Sequence, residues 1–107
     1  MNKSQIITRL EDTVRTLKEQ LDKNDGSGLS AMAVGAKAGF DNLKSMIASN
    51  EKARLALDSA KIQALKLEEA IREGDKKLSA KTVVMMEKAV RELKDRLKDK
   101  DVQDKNE

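Results

Sequence analysis

The chain has 107 residues, 22 of them Lys or Arg and 19 Asp or Glu, which leaves a formal net charge of +3. It contains no His, Cys, Pro, Trp or Tyr, and its one aromatic side chain is Phe40. These absences exclude disulfides, thiolate or imidazole metal sites and His- or Cys-based catalysis, and they disfavour small β-sandwiches and barrels, which draw on Gly/Pro turns and aromatic strands.

A chain of this length accommodates one domain with a modest core. The N-terminal "MNKSQIITRLED" reaches Arg9 and Glu11 before any apolar run of signal-peptide length develops. The most apolar window, "GLSAMAVGAKAGF" at residues 28–40, falls short of the roughly 20 apolar residues that a membrane-spanning helix needs. No membrane span and a cytoplasmic location are expected.

Ile7, Leu10, Val14, Leu17 and Leu21 recur at alternating steps of three and four, the seam of a heptad helix. Glu11 with Arg15 and Glu19 with Lys23 add i,i+4 pairs on its flanks. The spacing predicts a first helix over about residues 5–22, ending in the turn-forming "DKNDGSG". Asp22, Asn24 and Asp25 begin like a calcium loop, but that loop needs Gly at its sixth position and Glu at its twelfth. Ser27 and Ala33 stand there instead.

A second helix is expected from Ser30 as N-cap, with Leu29 and Val34 as a hydrophobic staple. From Leu29 one heptad phase continues through Met32, Ala36, Gly39, Leu43, Met46, Asn50, Ala53, Leu57, Ala60, Ala64, Leu67 and Ile71. Unbroken, this segment would be a rod of roughly 65 Å at 1.5 Å per residue. The polar "ASNEKA" at residues 48–53 offers Ser49 or Asn50 as a cap for a new helix, so the segment is either one helix or two, about 30–49 and 50–73. Phe40, Ile47, Leu55, Ile62 and Leu65 form a second apolar stripe opposite the seam, which also needs cover. The small residues Gly35, Ala36 and Gly39, next to Phe40, suit close contact with another helix.

Gly74 suits the left-handed position that ends a helix. Ser79 is the expected cap of a last helix over about 79–98, stapled by Leu78 to Val83 and repeating the seam through Val83, Met86, Val90, Leu93 and Leu97. "GDKKLSAKT" has a Gly ahead of Lys81 and Thr82, as a phosphate loop does, but Ala80 replaces the second Gly and the spacing is one residue too long. What remains is a helix start near Lys76, Lys77 and Lys81, a candidate anion contact. Residues 99–107 are expected to form a charged, disordered tail beyond a single helical domain of residues 1–98.

Carboxylate neighbours such as Glu68 and Glu69, or Asp99 and Asp101, point about 100° apart on a helix and make poor acid/base pairs. Met32, Met46, Met85 and Met86 read as core filling. The expected fold is all-α, with three or four helices in a bundle or coiled-coil-like assembly. The expected function is non-enzymatic, without metal or cofactor: a protein–protein interaction module that self-associates through these heptad seams, Leu57, Leu67 and Ile71 included, and serves as scaffold, adaptor or inhibitor of a larger assembly. Its expected partners are itself and another protein. Two alternatives stand beside it. One is nucleic-acid binding through Lys88, Arg91, Lys94, Arg96, Lys98 and Lys100, a basic series interrupted by acids and lacking Tyr or Trp for stacking. The other is a coat-like role with the small-residue face on lipid.

The absence of His predicts that thermal melts followed by circular dichroism superimpose between about pH 6 and 8. A sharp transition inside that window would contradict it.

Overall fold

A computed structural model of the chain describes residues 2–23, 28–47 and 49–98. They form four helices and no strand: α1 (Lys3–Asp22), α2 (Leu29–Met46), α3 (Glu51–Glu73) and α4 (Lys76–Lys98). The all-α expectation is met with four helices. The tail at 99–107 and the linker residues 24–27 lie outside the described residues.

The helix boundaries follow from local caps. Asn2 Oδ1 accepts the Gln5 N–H at 2.9 Å while Gln5 Oε1 accepts the Asn2 N–H at 3.0 Å. This capping box starts α1 at Lys3, earlier than its apolar spacing predicts. Ser30 does not cap α2. The helix starts from Gly28, whose φ of 75° is a left-handed conformation suited to glycine, and the Gly28 carbonyl accepts the Met32 N–H at 2.9 Å. Leu29 is thereby carried into the core, whereas Val34 stays exposed, so no staple forms between them.

Of the two possibilities for residues 30–73, the structure takes the break. The helix α2 stops at Met46, short of residue 49. The Asn50 N–H donates to the Ile47 carbonyl at 2.9 Å, and Asn50, in extended backbone, accepts the Ala53 N–H on Oδ1 at 3.1 Å. Asn50 is therefore the N-cap of α3, and the 65 Å rod does not form.

At the far end of α3 the Asp75 N–H donates to the Ala70 carbonyl at 3.0 Å and the Gly74 N–H to the Ile71 carbonyl at 3.1 Å, with Gly74 at φ 74°. This is a Schellman ending, as Gly74 predicts. The expected cap at Ser79 is displaced. Asp75 comes first, and its Oδ1 accepts the Leu78 N–H at 3.0 Å, so α4 begins at Lys76. A carboxylate both satisfies a free N–H there and complements the helix dipole. Ser79 instead donates its hydroxyl to the Asp75 carbonyl from within the first turn. Leu78 is exposed and Val83 buried, so that staple is absent too.

Each helix packs on its sequence neighbours, and α1 closes the ring against α4. Lys18 meets Glu87 at 3.5 Å and Glu11 meets Lys94 at 3.4 Å across α1 and α4. Between α2 and α3, Lys37 meets Glu68 at 3.1 Å, Lys44 meets Asp58 at 3.8 Å, and Lys61 pairs with Asp41. Residue numbers rise on one helix as they fall on its neighbour, so adjacent helices are antiparallel. The result is an up-down-up-down bundle with extents of 43 × 20 × 18 Å.

The heptad seams close inside one chain. Ile7, Leu10, Val14, Leu17, Leu57, Leu67, Val83, Met86, Val90, Leu93 and Leu97 are buried in a single core, with Leu21 and Ile71 partly buried against it. Heptad periodicity requires a facing helix, and within this chain each seam meets one. The phase on α2 also shifts by one residue. Phe40 and Ile47, expected on the outer stripe, are buried, while Met46 is exposed. Once Asn50 separates the helices, α2 is free to turn Phe40 inward, and Ile47 at its C-cap is buried with it.

Leu17→Asp or Leu93→Asp places a carboxylate where the wild-type side chain is fully buried, costing several kcal/mol against a total stability of about 5–15 kcal/mol. Each variant is expected to lose its cooperative melt at every protein concentration. A wild-type melt, or a loss reversed by raising concentration, would contradict closure within one chain.

Candidate interaction surface

The small-residue window at 28–40 runs around both faces of α2, with Ala31, Val34, Gly35 and Ala38 exposed. Ala33, Ala36 and Phe40 are buried in the core. Its sole charge, Lys37, leaves on the flank toward α3, where it pairs with Glu68. The two glycines differ. A Cβ added at Gly39 would stand 3.0 Å from Leu10 Cδ2 on α1, so this position admits the neighbouring helix. A Cβ at Gly35 would meet nothing within 4 Å. Gly35, expected as a close contact, instead borders a 360 Å³ surface groove between α1 and α2 together with Gly39, Ala38, Leu10 and Thr13. Of the small residues in the window, Ala33 and Ala36 are in the core, so laying those two on lipid would require opening the bundle.

The expected anion contact is occupied by the protein itself. Lys76, Lys77 and Lys81 are all exposed, and the N–H of Leu78 at the start of α4 is taken by the Asp75 carboxylate. The basic series on α4 is partly neutralised, with Lys94 against Glu11 and Arg96 paired with Glu92. Lys88 and Arg91 remain exposed, while the Lys98 side chain and Lys100 lie outside the described residues. Glu68 is held by Lys37 and lies 4.0 Å from Arg72, whereas Glu69 is exposed. Asp99 and Asp101 lie outside the described residues. Among the described residues no three acidic side chains converge to hold a metal, and no helix is long and apolar enough to cross a membrane. A cleft of 180 Å³ between α1 and α4 is lined by Glu11, Arg15, Glu87 and Arg91 over Val14 and Val90, so its charges alternate in sign.

The surface that does stand out is apolar. Eight large apolar side chains are exposed among the described residues: Leu55, Ile62 and Leu65 on α3, Leu78, Val84 and Met85 on α4, Val34 and Met46 on α2, and none on α1. Scattered single apolar residues are ordinary on a soluble protein. Concentration of six on two adjacent helices is not scattered. Leu55 is 63% exposed, Ile62 51% and Leu65 46%, at heptad-like spacing on the side of α3 away from the core. On α4, Met85 (45%) and Leu78 (42%) are seven residues apart and share one shoulder.

The ion pairs identify that shoulder. Glu68 and Lys61 place α2 on one flank of α3, so the opposite flank, with Ser59, Gln63 and Lys66, faces α4. Glu87 and Lys94 place α1 on one flank of α4, so Leu78 and Met85 lie on the flank toward α3. Leu55 and Ile62 lean the same way from α3, and the four side chains line the outside of the α3–α4 groove. Sequence periodicity exposed the α3 stripe; the α4 contribution depends on which helix lies beside it, and no spacing carried that.

No family model, curated protein or solved structure matches this chain.

The two glycines separate under a mild substitution. Gly35→Ala is expected to raise stability by about 0.5–1 kcal/mol, because helix propensity improves with no contact to disturb. Gly39→Ala is expected to fall about 1–2 kcal/mol below it, since Leu10 is buried and must shift. Denaturant melts of the two variants decide the matter; equal gains at both positions would contradict a close approach at Gly39.

Proposed function

We propose that this protein is a non-enzymatic interaction module, a self-contained four-helix scaffold that presents the outer face of α3 and α4 to a protein partner. The observation that carries this reading is the asymmetry of exposed apolar side chains, six on α3 and α4 against none on α1. Leaving Leu55, Ile62, Leu65 and Met85 in water forgoes about 25 cal/mol for each Å² that a partner would bury. A surface of this kind, rimmed by Lys and Glu, has the composition of a protein contact. The inward closure of the heptad seams supports assigning the contact to this outer face. In that role the chain acts as scaffold, adaptor or inhibitor by occupying a surface on a larger assembly.

The test is site-specific photocrosslinking in cells that make the protein. A photoreactive residue replacing Leu65 on α3 is expected to give discrete higher-mass products, and the same residue replacing Thr8, exposed on α1, is not. Equal yields from both positions, or none from Leu65, would overturn the assignment.

A further inference from the structure

We infer that the outer α3–α4 groove takes an amphipathic helix of another protein, with acidic residues around the middle of that helix. This rests on the interaction reading above and gives the partner its chemistry.

The apolar walls of the groove repeat every two turns. Measured from the turn at Gly74 and Asp75 at 1.5 Å per residue, Leu78 lies about 5 Å out, Met85 about 16 Å, Ile62 about 19 Å and Leu55 about 29 Å. Leu78 and Met85 are seven residues apart on one wall, and Ile62 and Leu55 are seven apart on the other. Apolar side chains therefore recur at three levels about 12 Å apart, close to the rise of seven or eight helical residues. A helix of about 16 residues laid along the groove reaches all three levels with one apolar stripe.

Charge selects the kind of helix. Lys81 at about 10 Å, Lys66 at about 13 Å and Lys88 at about 20 Å stand beside the central pair, Ile62 and Met85. All three lysines are exposed and make no ion pair among the described residues. The acids on this side stand toward its ends, Glu69 and Glu73 within about 8 Å of the turn and Glu92 and Asp95 at about 26 Å and beyond. Glu92 is already paired with Arg96. Unpaired cations of one sign around an apolar centre match carboxylates on the partner. A second copy docked on this face would instead bring lysine to lysine there.

A buried amide marks the same level. Gln63, about 17 Å from the turn on the flank of α3 that faces α4, is 9% exposed, and its side chain has no hydrogen-bond partner among the described residues. The enclosed, unpaired side-chain atoms are Gln20 Oε1 and Asn50 Nδ2, so the Gln63 amide reaches the surface on its flank. It offers a donor and an acceptor to one polar side chain of the docked helix, a pairing that the acyl region of a lipid surface cannot supply.

The probe is a synthetic peptide of about 18 residues with Leu at every seventh position and Glu on both sides of the central Leu, beside a charge-reversed twin carrying Lys for Glu. Fluorescence anisotropy with the full chain is expected to show the acidic peptide binding at least tenfold more tightly than its twin, and circular dichroism to show that it gains helix on binding. Ile62→Glu, at an exposed position, should abolish binding while keeping the wild-type melt. Lys66→Glu, Lys81→Glu and Lys88→Glu in one chain should weaken the acidic peptide by at least tenfold and make the twin the tighter ligand. Arg9→Glu with Lys23→Glu, exposed elsewhere on the bundle, should leave the acidic peptide within about threefold of wild type. No binding, equal affinity for the two peptides, or a triple variant that keeps the wild-type preference would overturn the acidic helix as occupant. So would a chain that ignores the acidic peptide but co-sediments with phosphatidylserine vesicles. Leu65 photoproducts without peptide binding would overturn this partner chemistry alone and leave the interaction face standing, whereas loss of both would remove the face as well.

Discussion

Everything in this fold depends on the reversal of the chain at Asn50. The heptad phase that starts at Leu29 runs through position 50 without a skip, and a helix continuing past it would present a seam that only other chains could cover. One side-chain hydrogen bond, from the Ala53 N–H to Asn50 Oδ1 at 3.1 Å, satisfies an end that the continuous helix would not have. A cap of this kind contributes only about 1 kcal/mol. Its leverage is geometric: folding α3 back along α2 lets Leu43, Ile47, Leu57 and Leu67 share a core with α1 and α4 instead of waiting for another chain.

Once the chain has reversed, charge keeps the register. The pairs between α2 and α3, and between α1 and α4, sit at the flanks of the core, and most are substantially exposed. Exposed pairs add little stability each, about 0–1 kcal/mol. Their arrangement still disfavours a slipped register, which would set lysine against lysine along the same flank. That closure leaves outside the apolar side chains of the α3–α4 groove and the lysines beside them.

Periodicity made the helices legible, because the alternating steps of three and four at Ile7 to Leu21 and Val83 to Leu97 gather apolar side chains on one face of a helix and would scatter them over both faces of a strand. Gly74 was legible as a helix end for a similarly local reason, a backbone conformation that only glycine adopts readily. Caps were harder to place. Ser79 and Asp75 both have capping side chains, and the choice depended on the Schellman turn delivering Asp75 first. Gly35 and Gly39 looked equivalent in the sequence, yet four residues turn a helix by about 40° relative to its own axis, enough to separate a contact with Leu10 from an open groove. The misplacement of Phe40 and Ile47 came from carrying one phase through Asn50. Heptads also describe a seam between chains and a seam within one equally well, so closure of the core in a single bundle was visible only in three dimensions.

The most direct measurement of the reversal at Asn50 is the distance between spin labels at the outer ends of α2 and α3. The chain has no cysteine of its own, so Ser30→Cys and Arg72→Cys, both at exposed positions, carry the only labels. Diluting doubly labelled protein with unlabelled chain confines the signal to pairs within one molecule. Antiparallel neighbours about 8–10 Å apart put the two labels within about 25 Å of each other once their tethers are included. A distance of about 63 Å, the rise of one continuous helix between these positions, would contradict the bundle.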